Sequence, residues 1–329
     1  MAAIAFRGVE YECRDSETVL DALLRQGVAL PYSCRAGQCL TCVLRGLDGL
    51  VPPEAQAPLR ETLRRQGYFL ACCCRPQGPL TVSLPDEGAL YARARVLQNE
   101  PLAPLIRRLR LETAVPIDYA AGQFVNMRRA DGLTRSYSLA SVPGQDATLE
   151  VHVKRHTGGA MSTWVFENLR PGAEVDLQGP NGACFYVSGR PEQPLLLIGN
   201  GTGLAPLYGI VRAALAAGHS GPIHLYHGSR HAEGLYLRDE LAAMAARHAN
   251  FRYAPCLSGS ADTQGCRPQR AERAAFADHA DLGGWRLFLC GCPPMVKEAQ
   301  RQAYLAGVDL ADIHADPFTL RELRKEPRL

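Results

Sequence analysis

The sequence predicts a multidomain chain that combines an α+β module, an antiparallel β-barrel and a parallel-sheet α/β module. Seven of the twelve cysteines lie within the first 74 residues, which sets this segment apart from the rest of the 329-residue chain. From residue 91 to about residue 189, short alternating strands are separated by turn residues, as in a small antiparallel barrel. From Pro194 an apolar strand, a glycine-rich turn, a helical stretch and another strand follow in order, which indicates βαβ units. The expected module boundaries are 1–88, 89–190 and 191–329.

Composition and charge exclude several classes of function. The chain is 47% hydrophobic and 21% charged with a net charge of +3, so we expect a globular protein that does not bind nucleic acid or a membrane surface. The longest apolar runs, such as LLLI at 195–198, are far shorter than the roughly 20 residues that span a bilayer. No basic segment followed by an apolar one opens the sequence, so we expect no signal peptide. A monomeric cytoplasmic protein is the expectation.

The first module begins with a predicted strand over residues 4–12 and a predicted helix over residues 18–26, where three leucines fall on one face. A cysteine-rich loop occupies residues 31–46. A closing strand is predicted over residues 80–84, and the Pro-Asp-Glu-Gly segment at 85–88 is predicted to be a linker. In a reducing cytosol, this density of cysteines indicates metal or redox chemistry rather than disulfides.

The cysteines of the loop have the spacing of a metal centre. Cys34, Cys39 and Cys42 form a Cys-x4-Cys-x2-Cys pattern, and Cys72 follows after 29 residues. This is the spacing of plant-type [2Fe–2S] sites, where one tight loop supplies three thiolates and a distant segment the fourth. Gly37 would let backbone amides turn inward and hydrogen-bond the sulfurs. A zinc site is the alternative, because the Cys-x2-Cys pair alone suits zinc, although zinc usually takes a second such pair.

The segments YSCRAGQCLTC and GYFLACCCRP resemble the N-terminal ferredoxin module of bacterial oxygenase reductases. The resemblance implies a β-grasp [2Fe–2S] ferredoxin fold. It also implies that Cys72 is the fourth ligand, because in that family the ligand follows the Leu-Ala of this strand. Strand alternation agrees with this choice: Cys73 is expected to face away from Cys72, and Cys74 to lie about 6–7 Å further along the same side.

Two short segments of the second module predict a flavin site. Arg135-Ser136-Tyr137-Ser138 places a cation and an aromatic ring on one side of a strand, which suits a phosphate and a stacked ring. Taken alone, this segment could equally be a half-buried strand. The GGAMS turn at 158–162 opens a predicted helix, and a glycine-rich helix start is a ready anion site.

Together these segments resemble the ferredoxin–NADP⁺ reductase superfamily. The resemblance implies an antiparallel β-barrel FAD domain with Arg135 on the pyrophosphate, Tyr137 against the isoalloxazine and Ser138 near the flavin N5. It further implies flavin contacts from the VHVK strand and the glycine-rich turn, with the candidates His152, Lys154, Gly159, Met161 and Ser162.

The third module carries two glycine turns, each between a strand and a helix. GNGTGLAP, at 199–206, is not the Gly-x-Gly-x-x-Gly fingerprint, because Pro206 stands where the third glycine would be. On its own it could be a helix lead-in. It is, however, similar to the segment that receives the nucleotide in the same superfamily, and CGCPPM at 290–295 is similar to that superfamily's C-G-x-P-x-M segment. The resemblance implies a parallel-sheet nucleotide-binding domain with the candidates Gly201, Thr202, Gly203, Pro206, Gly291 and Met295.

The resemblance also places Cys290 beside the nicotinamide C4, so that Ser138 and Cys290 are the predicted catalytic residues. A small core residue is the alternative interpretation of Cys290. Ser229 and Arg230 end the second strand, and a single arginine there favours NADH over NADPH, with NADPH possible. Phe318 lies where the superfamily ends in an aromatic residue that covers the flavin, but this chain continues for eleven residues beyond it.

The resemblance covers nearly the whole chain in the order ferredoxin, flavin, nucleotide. It implies an NADH reductase of bacterial oxygenases, or the related reductase of 3,6-dideoxyhexose biosynthesis. Electrons would pass from NADH through FAD and the [2Fe–2S] cluster to a protein partner, an oxygenase or a dehydrase. The N-terminal ferredoxin favours FAD over FMN. Two alternatives are an electron carrier without catalysis and a free flavin reductase with an incidental cluster.

Overall fold

The computed structural model describes residues 2–59, 61–85, 90–259 and 265–319, without the side chains of 61 and 62. The first module is a mixed five-stranded sheet in the order β2-β1-β5-β3-β4, with β1 and β5 parallel. Its strands are β1 (Ala2–Phe6), β2 (Val9–Cys13), β3 (Val43–Asp48), β4 (Tyr68–Leu70) and β5 (Leu80–Ser83). Its helices are α1 (Val19–Arg25), α2 (Pro53–Gln56) and α3 (Glu61–Arg65).

The sheet of this module wraps around α1, which is the β-grasp arrangement that the sequence predicts. Thr18 caps α1 by accepting a hydrogen bond from the backbone of Asp21. The side chains of Leu20 and Leu23 are fully buried against the sheet. Of the predicted linker, only Pro85 lies within the described residues.

The second module is a six-stranded antiparallel sheet in the order β10-β7-β6-β11-β8-β9. The Leu139–Val151 bridge joins the two ends of this order, so the sheet closes into the predicted barrel. Its strands are β6 (Ala92–Ala103), β7 (Ile106–Thr113), β8 (Phe124–Arg128), β9 (Thr134–Ser138), β10 (Leu149–Lys154) and β11 (Glu174–Asn181). One helix, α4 (Ala160–Glu167), packs on it through Met161 and Val165.

The third module is a five-stranded parallel sheet in the order β14-β13-β12-β15-β16, with helices between the strands. Its strands are β12 (Leu195–Asn200), β13 (Ile223–Ser229), β14 (Phe251–Leu257), β15 (Arg286–Gly291) and β16 (Ile313–Pro317). Its helices are α5 (Leu204–Ala216), α6 (Arg238–Arg247), α7 (Ala271–Asp278) and α8 (Pro293–Leu305). The strand order reverses between β12 and β15, and ligands of such sheets bind outside the strands' carboxyl ends at this point.

None of the described helices combines the length and the apolar character that a membrane span needs.

Candidate functional site

A cleft with a cavity volume of about 160 Å³ lies where the three modules meet. All three contribute to its walls: the cysteine-rich loop, the barrel strands β9 and β10, and the carboxyl ends of the parallel sheet. Ten of the predicted cofactor residues line it: Arg135, Tyr137, Ser138, His152, Lys154, Gly159, Met161, Ser162, Thr202 and Phe318. The cleft also reaches two of the predicted cluster ligands, Cys34 and Cys39. Residues of the cluster loop and of the nucleotide turn therefore line the same cleft as Tyr137.

Barrel closure explains why the two predicted flavin segments meet. Leu139, directly after β9, pairs with Val151 of β10. The RSYS strand and the VHVK strand are therefore neighbours although turns separate them in sequence. A ring, a cation and small polar groups then converge on one apolar cavity, which is the composition of a site for an aromatic cofactor that carries phosphates. The residues present therefore fit a bound FAD.

Ser162 stabilises the glycine-rich turn before α4 through two hydrogen bonds. Its hydroxyl donates to the carbonyl oxygen of Gly159 at 3.0 Å and accepts from the backbone N–H of His156 at 3.1 Å. A Cβ at Gly159 would lie 2.6 Å from the Ser162 hydroxyl, so the turn requires glycine. The N–H groups at the start of α4 point out of the helix end and are the groups that can bind phosphate oxygens. A direct phosphate contact from the Ser162 hydroxyl stays a prediction.

His152 lines the cleft, but both of its ring nitrogens bond to protein groups. Nδ1 lies 3.0 Å from the Tyr236 hydroxyl, and Nε2 lies 2.9 Å from Glu150. Burial lowers the pKa of His152, and the bond to Glu150 raises it in part. His152 therefore ties the barrel to the nucleotide module. Lys154 is exposed at the end of the same strand and lines the cleft.

The two glycine turns of the third module pack directly on each other. A Cβ on Gly203 would lie 2.2 Å from the carbonyl oxygen of Cys290, and a Cβ on Gly291 would lie 2.0 Å from the Asn200 side chain. Gly291 also has a φ of +133°, a conformation that favours glycine. Parallel pairing of β12 with β15 brings both turns to the same edge of the sheet. The glycines of GTG and CG are thus explained by close approach of two backbones at the reversal point.

Several predicted nucleotide residues do not line the cleft. Cys290 is fully buried, its sulfur lies 3.6 Å from that of Cys184, and burial raises its pKa well above the ordinary value. Its burial agrees with the small-core-residue alternative, and its place beside the nicotinamide stays a prediction. Pro206 and Met295 are buried in α5 and α8, where they pack the module. Gly201 and Gly203 shape the turn through their backbones. Ser229 is half-buried and Arg230 exposed at the end of β13.

Asp316 is a site residue that the sequence analysis missed. Its carboxylate accepts a hydrogen bond from the Ser138 hydroxyl at 2.9 Å, and it lines the cleft next to Phe318. Burial raises the pKa of Asp316 to about 6, and the bond from Ser138 lowers it in part. The sequence did contain a signal for this residue, because Asp316 directly precedes Pro317, the last residue of β16, and Phe318. Phe318 is held there by its backbone N–H, which donates to the Gly291 carbonyl at 2.7 Å.

The cysteine-rich loop encloses the sulfur of Cys34. The backbone N–H groups of Ala36, Gln38 and Cys39 donate to this sulfur at 3.3, 3.4 and 3.3 Å. Gly37 has a φ of +75°, which turns these amides inward as predicted. A hydrogen bond from the Cys39 thiol and the three amides lower the pKa of Cys34 to about 5. The loop therefore stabilises thiolate sulfur, which is what cluster ligation needs.

The run of three cysteines is arranged differently from the expectation. Strand β4 ends at Leu70 and residues 71–73 form a turn, so strand alternation does not apply. The thiol of Cys72 is hydrogen-bonded to that of Cys42, which raises its pKa to about 12. The expectation that Cys73 faces away is wrong: its sulfur lies 3.7 Å from that of Cys72. Cys74 is fully buried in the core of the module. Cys72 as the fourth ligand stays a prediction.

Family models match the three modules in the order described. A 2Fe-2S iron–sulfur cluster binding domain matches residues 4–77, an oxidoreductase FAD-binding domain residues 94–186 and an oxidoreductase NAD-binding domain residues 197–301. The zinc alternative is therefore wrong for the cysteine-rich loop. A [2Fe–2S] cluster, FAD and a nicotinamide nucleotide are the cofactors of this chain.

Relatives with the same module order match nearly the full length. The chain is 37% identical to the reductase subunit of an aromatic O-demethylase of Amycolatopsis, over 96% of this chain and 98% of that protein. It is 34% identical to the reductase component of the naphthalene 1,2-dioxygenase/salicylate 5-hydroxylase systems of Ralstonia, over 92% and 93%. The crystal structure of an Amycolatopsis cytochrome P450 reductase matches with a TM-score of 0.70 and 34% identity, over 97% and 99%. The chain belongs to the family of reductase components of multicomponent oxygenases, which combine a ferredoxin, an FAD and an NAD module in one protein.

Proposed function

We propose that this reductase oxidises NADH at the three-module cleft and delivers electrons through a cluster held by Cys34, Cys39, Cys42 and Cys72 to the oxygenase component of a two- or three-protein system. The observation that carries the proposal is the composition of the cleft. Residues of the cluster loop, the flavin strand and the nucleotide turn line the cleft together. NADH, FAD and the cluster would therefore bind next to one another. Oxygenase acceptors are favoured over a dehydrase because the relatives reported above serve oxygenase and demethylase systems.

Each part of the cleft has a distinct task in this proposal. FAD, when bound, divides the hydride's electron pair into single electrons that the cluster can accept. Tyr137 provides a flat surface for the ring, Arg135 a cation for the pyrophosphate, and Phe318 covers the cleft from the nucleotide side. The Ser138 hydroxyl is hydrogen-bonded to the Asp316 carboxylate. This pair would stand near the nicotinamide, where a carboxylate favours the positive charge that develops on the ring as the hydride leaves. The walls of the cleft would exclude water and orient the nicotinamide against the flavin ring.

The proposal also covers features that follow from the sequence. The module boundaries at 88/89 and 190/191 are supported by three family models that each fall within one module. NADH is favoured over NADPH because the segment that ends β13 carries one arginine, Arg230. A monomer in the cytoplasm completes the proposal.

Cofactor analysis and anaerobic NADH addition test this function. The purified protein should hold two irons, two sulfides and one FAD, and FAD should stay bound through gel filtration. NADH should bleach the flavin and produce the EPR signal of a reduced [2Fe–2S] cluster, and cytochrome c should be reduced. Zinc without sulfide would contradict the cluster, and loss of flavin on the column would favour the free flavin reductase. Reconstitution with the oxygenase encoded by neighbouring genes identifies the acceptor, and turnover with a dehydrase alone would redirect the proposal.

A further inference from the structure

A row of three polar side chains crosses the barrel sheet beneath the cluster loop. In the strand register Ser136 lies opposite Asn126, and Asn126 lies opposite Gln178, so one residue from each of β9, β8 and β11 stands side by side. Asn126 is fully buried and Gln178 nearly so. Burying an amide side chain costs free energy unless its hydrogen bonds are made, so the hydrogen-bond partners of these three side chains indicate what the row does.

The partners of the row lie in another module. The Asn126 amide nitrogen donates to the carbonyl oxygen of Cys39 at 2.6 Å, and the Gln178 amide nitrogen reaches that of Leu40 at 3.4 Å. The carbonyl of a predicted cluster ligand is therefore bonded to a strand of the flavin barrel. These two contacts tie the tip of the cluster loop to the barrel from below, while the cleft that takes the flavin opens beside it.

The remaining bonds of the row fix the direction of the amides. The Cys39 carbonyl can only accept, so it requires an N–H of Asn126, and the Ser136 hydroxyl then donates to the Asn126 oxygen at 2.7 Å. The second N–H of Asn126 donates to the Gln178 oxygen at 2.5 Å. That bond occupies the Gln178 oxygen and leaves its NH₂ directed at the loop. Both N–H groups of Asn126 are thus used, and the carbonyls of Cys39 and Leu40, which can only accept, set the orientation of both amides.

We propose that Asn126 is a positioning residue for electron transfer from the flavin to the cluster: hydrogen-bonded to Ser136 and Gln178, it holds the Cys39 carbonyl and thereby the cluster loop at a fixed place beside the cleft. The inference rests on the function proposed above. No bond is made or broken in the step concerned. One electron leaves the reduced flavin and enters the cluster, and its rate depends on where the loop is held.

Asn126→Ala in the full-length, cofactor-loaded protein tests the inference with two readouts. In the oxidised resting protein, hydrogen–deuterium exchange of residues 33–41 should become faster, because the loop has lost its anchor to the barrel. After rapid mixing with NADH, flavin bleaching should stay within about twofold of wild type, whereas freeze-quench EPR should show cluster reduction slowed by about tenfold or more. Electron transfer slows as the distance between donor and acceptor grows, so a loop that moves away from the cleft slows this step.

Asn99→Ala is the matched control. The Asn99 amide nitrogen donates to the carbonyls of Val165 and Leu169 at 2.8 and 2.9 Å, so the variant loses bonds of the same kind inside the barrel module. It should leave exchange of residues 33–41 and cluster reduction as in wild type. Equal slowing in Asn99→Ala would overturn the inference, because general loosening of the barrel would then suffice.

A second variant covers the case that Asn126→Ala does not fold. Gln178→Ala removes the bond to Leu40 but keeps Asn126 on Cys39, so it should give a smaller effect in the same direction. The inference would be overturned, and the proposed function left intact, if Asn126→Ala showed wild-type exchange and wild-type cluster reduction. If only Gln178→Ala folds, the same result in that variant would overturn it. A wild-type protein whose cluster NADH cannot reduce would refute the proposed function instead, while the exchange measurement would still test the anchor.

Discussion

The Ser138 hydroxyl donates a hydrogen bond to the Asp316 carboxylate at 2.9 Å, across 178 residues of sequence. Ser138 ends a barrel strand, and Asp316 lies near the end of β16, the edge strand of the parallel sheet. The bond therefore joins the flavin module to the nucleotide module at the cleft itself. A change in how the two modules pack would break it, so the pair reports on the assembled state of the site.

Asp316→Asn should change how stability depends on pH. Burial raises the pKa of Asp316 from its ordinary 3.8 to about 6, so between about pH 4 and pH 6 the folded protein holds a proton that the unfolded chain has lost. The carboxyl's favourable contribution is complete below pH 4 and is lost as the pH rises through 6. The wild-type Tm should therefore fall relative to that of Asp316→Asn over this window and stay lower at pH 7. Thermal unfolding from pH 4 to pH 8 measures the difference.

The control for this comparison is Asp281→Asn, at an exposed turn outside the cleft. It tests whether the loss of an exposed carboxylate gives the same pH profile as the loss of Asp316. A constant gap between wild type and Asp316→Asn from pH 4 to pH 8 would contradict the raised pKa. NADH-dependent ferricyanide reduction should also fall by about tenfold in Asp316→Asn, since a charge-assisted hydrogen bond contributes about 1.5–3 kcal/mol.

Gly203→Ala should weaken nucleotide binding without loss of FAD. The added Cβ would lie 2.2 Å from the Cys290 carbonyl oxygen, so the two glycine turns must move apart. Overpacking of this kind costs about 1–3 kcal/mol, and KM for NADH should rise by about tenfold or more. Gly78→Ala is the control, because nothing lies within 4 Å of a Cβ there. Steady-state kinetics and the bound FAD per chain are the measurements, and an unchanged KM would show that the turns can yield freely.

Cys72→Ser should abolish or shift the EPR signal of the reduced cluster, while Cys73→Ser and Cys74→Ser leave it intact. Cys72 shares a thiol–thiol hydrogen bond with Cys42, whereas Cys74 is enclosed in the module core. Because the Cys73 sulfur lies 3.7 Å from that of Cys72, the double variant Cys72→Ser/Cys73→Ser is needed to exclude substitution by the neighbour. Iron and sulfide content should be measured alongside. A normal spectrum in the double variant would mean that another residue is the fourth ligand.

NADH should be used with a kcat/KM about tenfold or more above that for NADPH. A 2′-phosphate needs cations that replace its lost hydration, and the segment that ends β13 supplies one arginine, Arg230. Arg230→Ala should lower kcat/KM for NADPH further and keep that for NADH within about twofold. Arg252→Ala removes the same charge at the opposite end of the sheet and should affect neither. A wild-type ratio in favour of NADPH would reverse the prediction.

Local pattern was sufficient for much of this molecule. The βαβ alternation after Pro194, the short strands before it and the cysteine spacing each depend on residues close in sequence, so each module could be predicted from its own segment. The ten cofactor candidates that line the cleft were implied by the resemblance of short segments to a known superfamily, and those segments are also local in sequence. The cysteine run is the exception: alternation failed at Cys73 because the strand ends at Leu70, and nothing local marks that end.

The sequence by itself determined the three modules, their order and the chemistry each can support, because periodicity, turn residues and ligand spacing are local properties of the chain. Tertiary structure alone decided how the modules face one another. Asp316 became a partner of Ser138 and Asn126 a partner of Cys39 only after strands from different modules were packed together. Such contacts join positions far apart in sequence and use common polar residues, so no local pattern announces them.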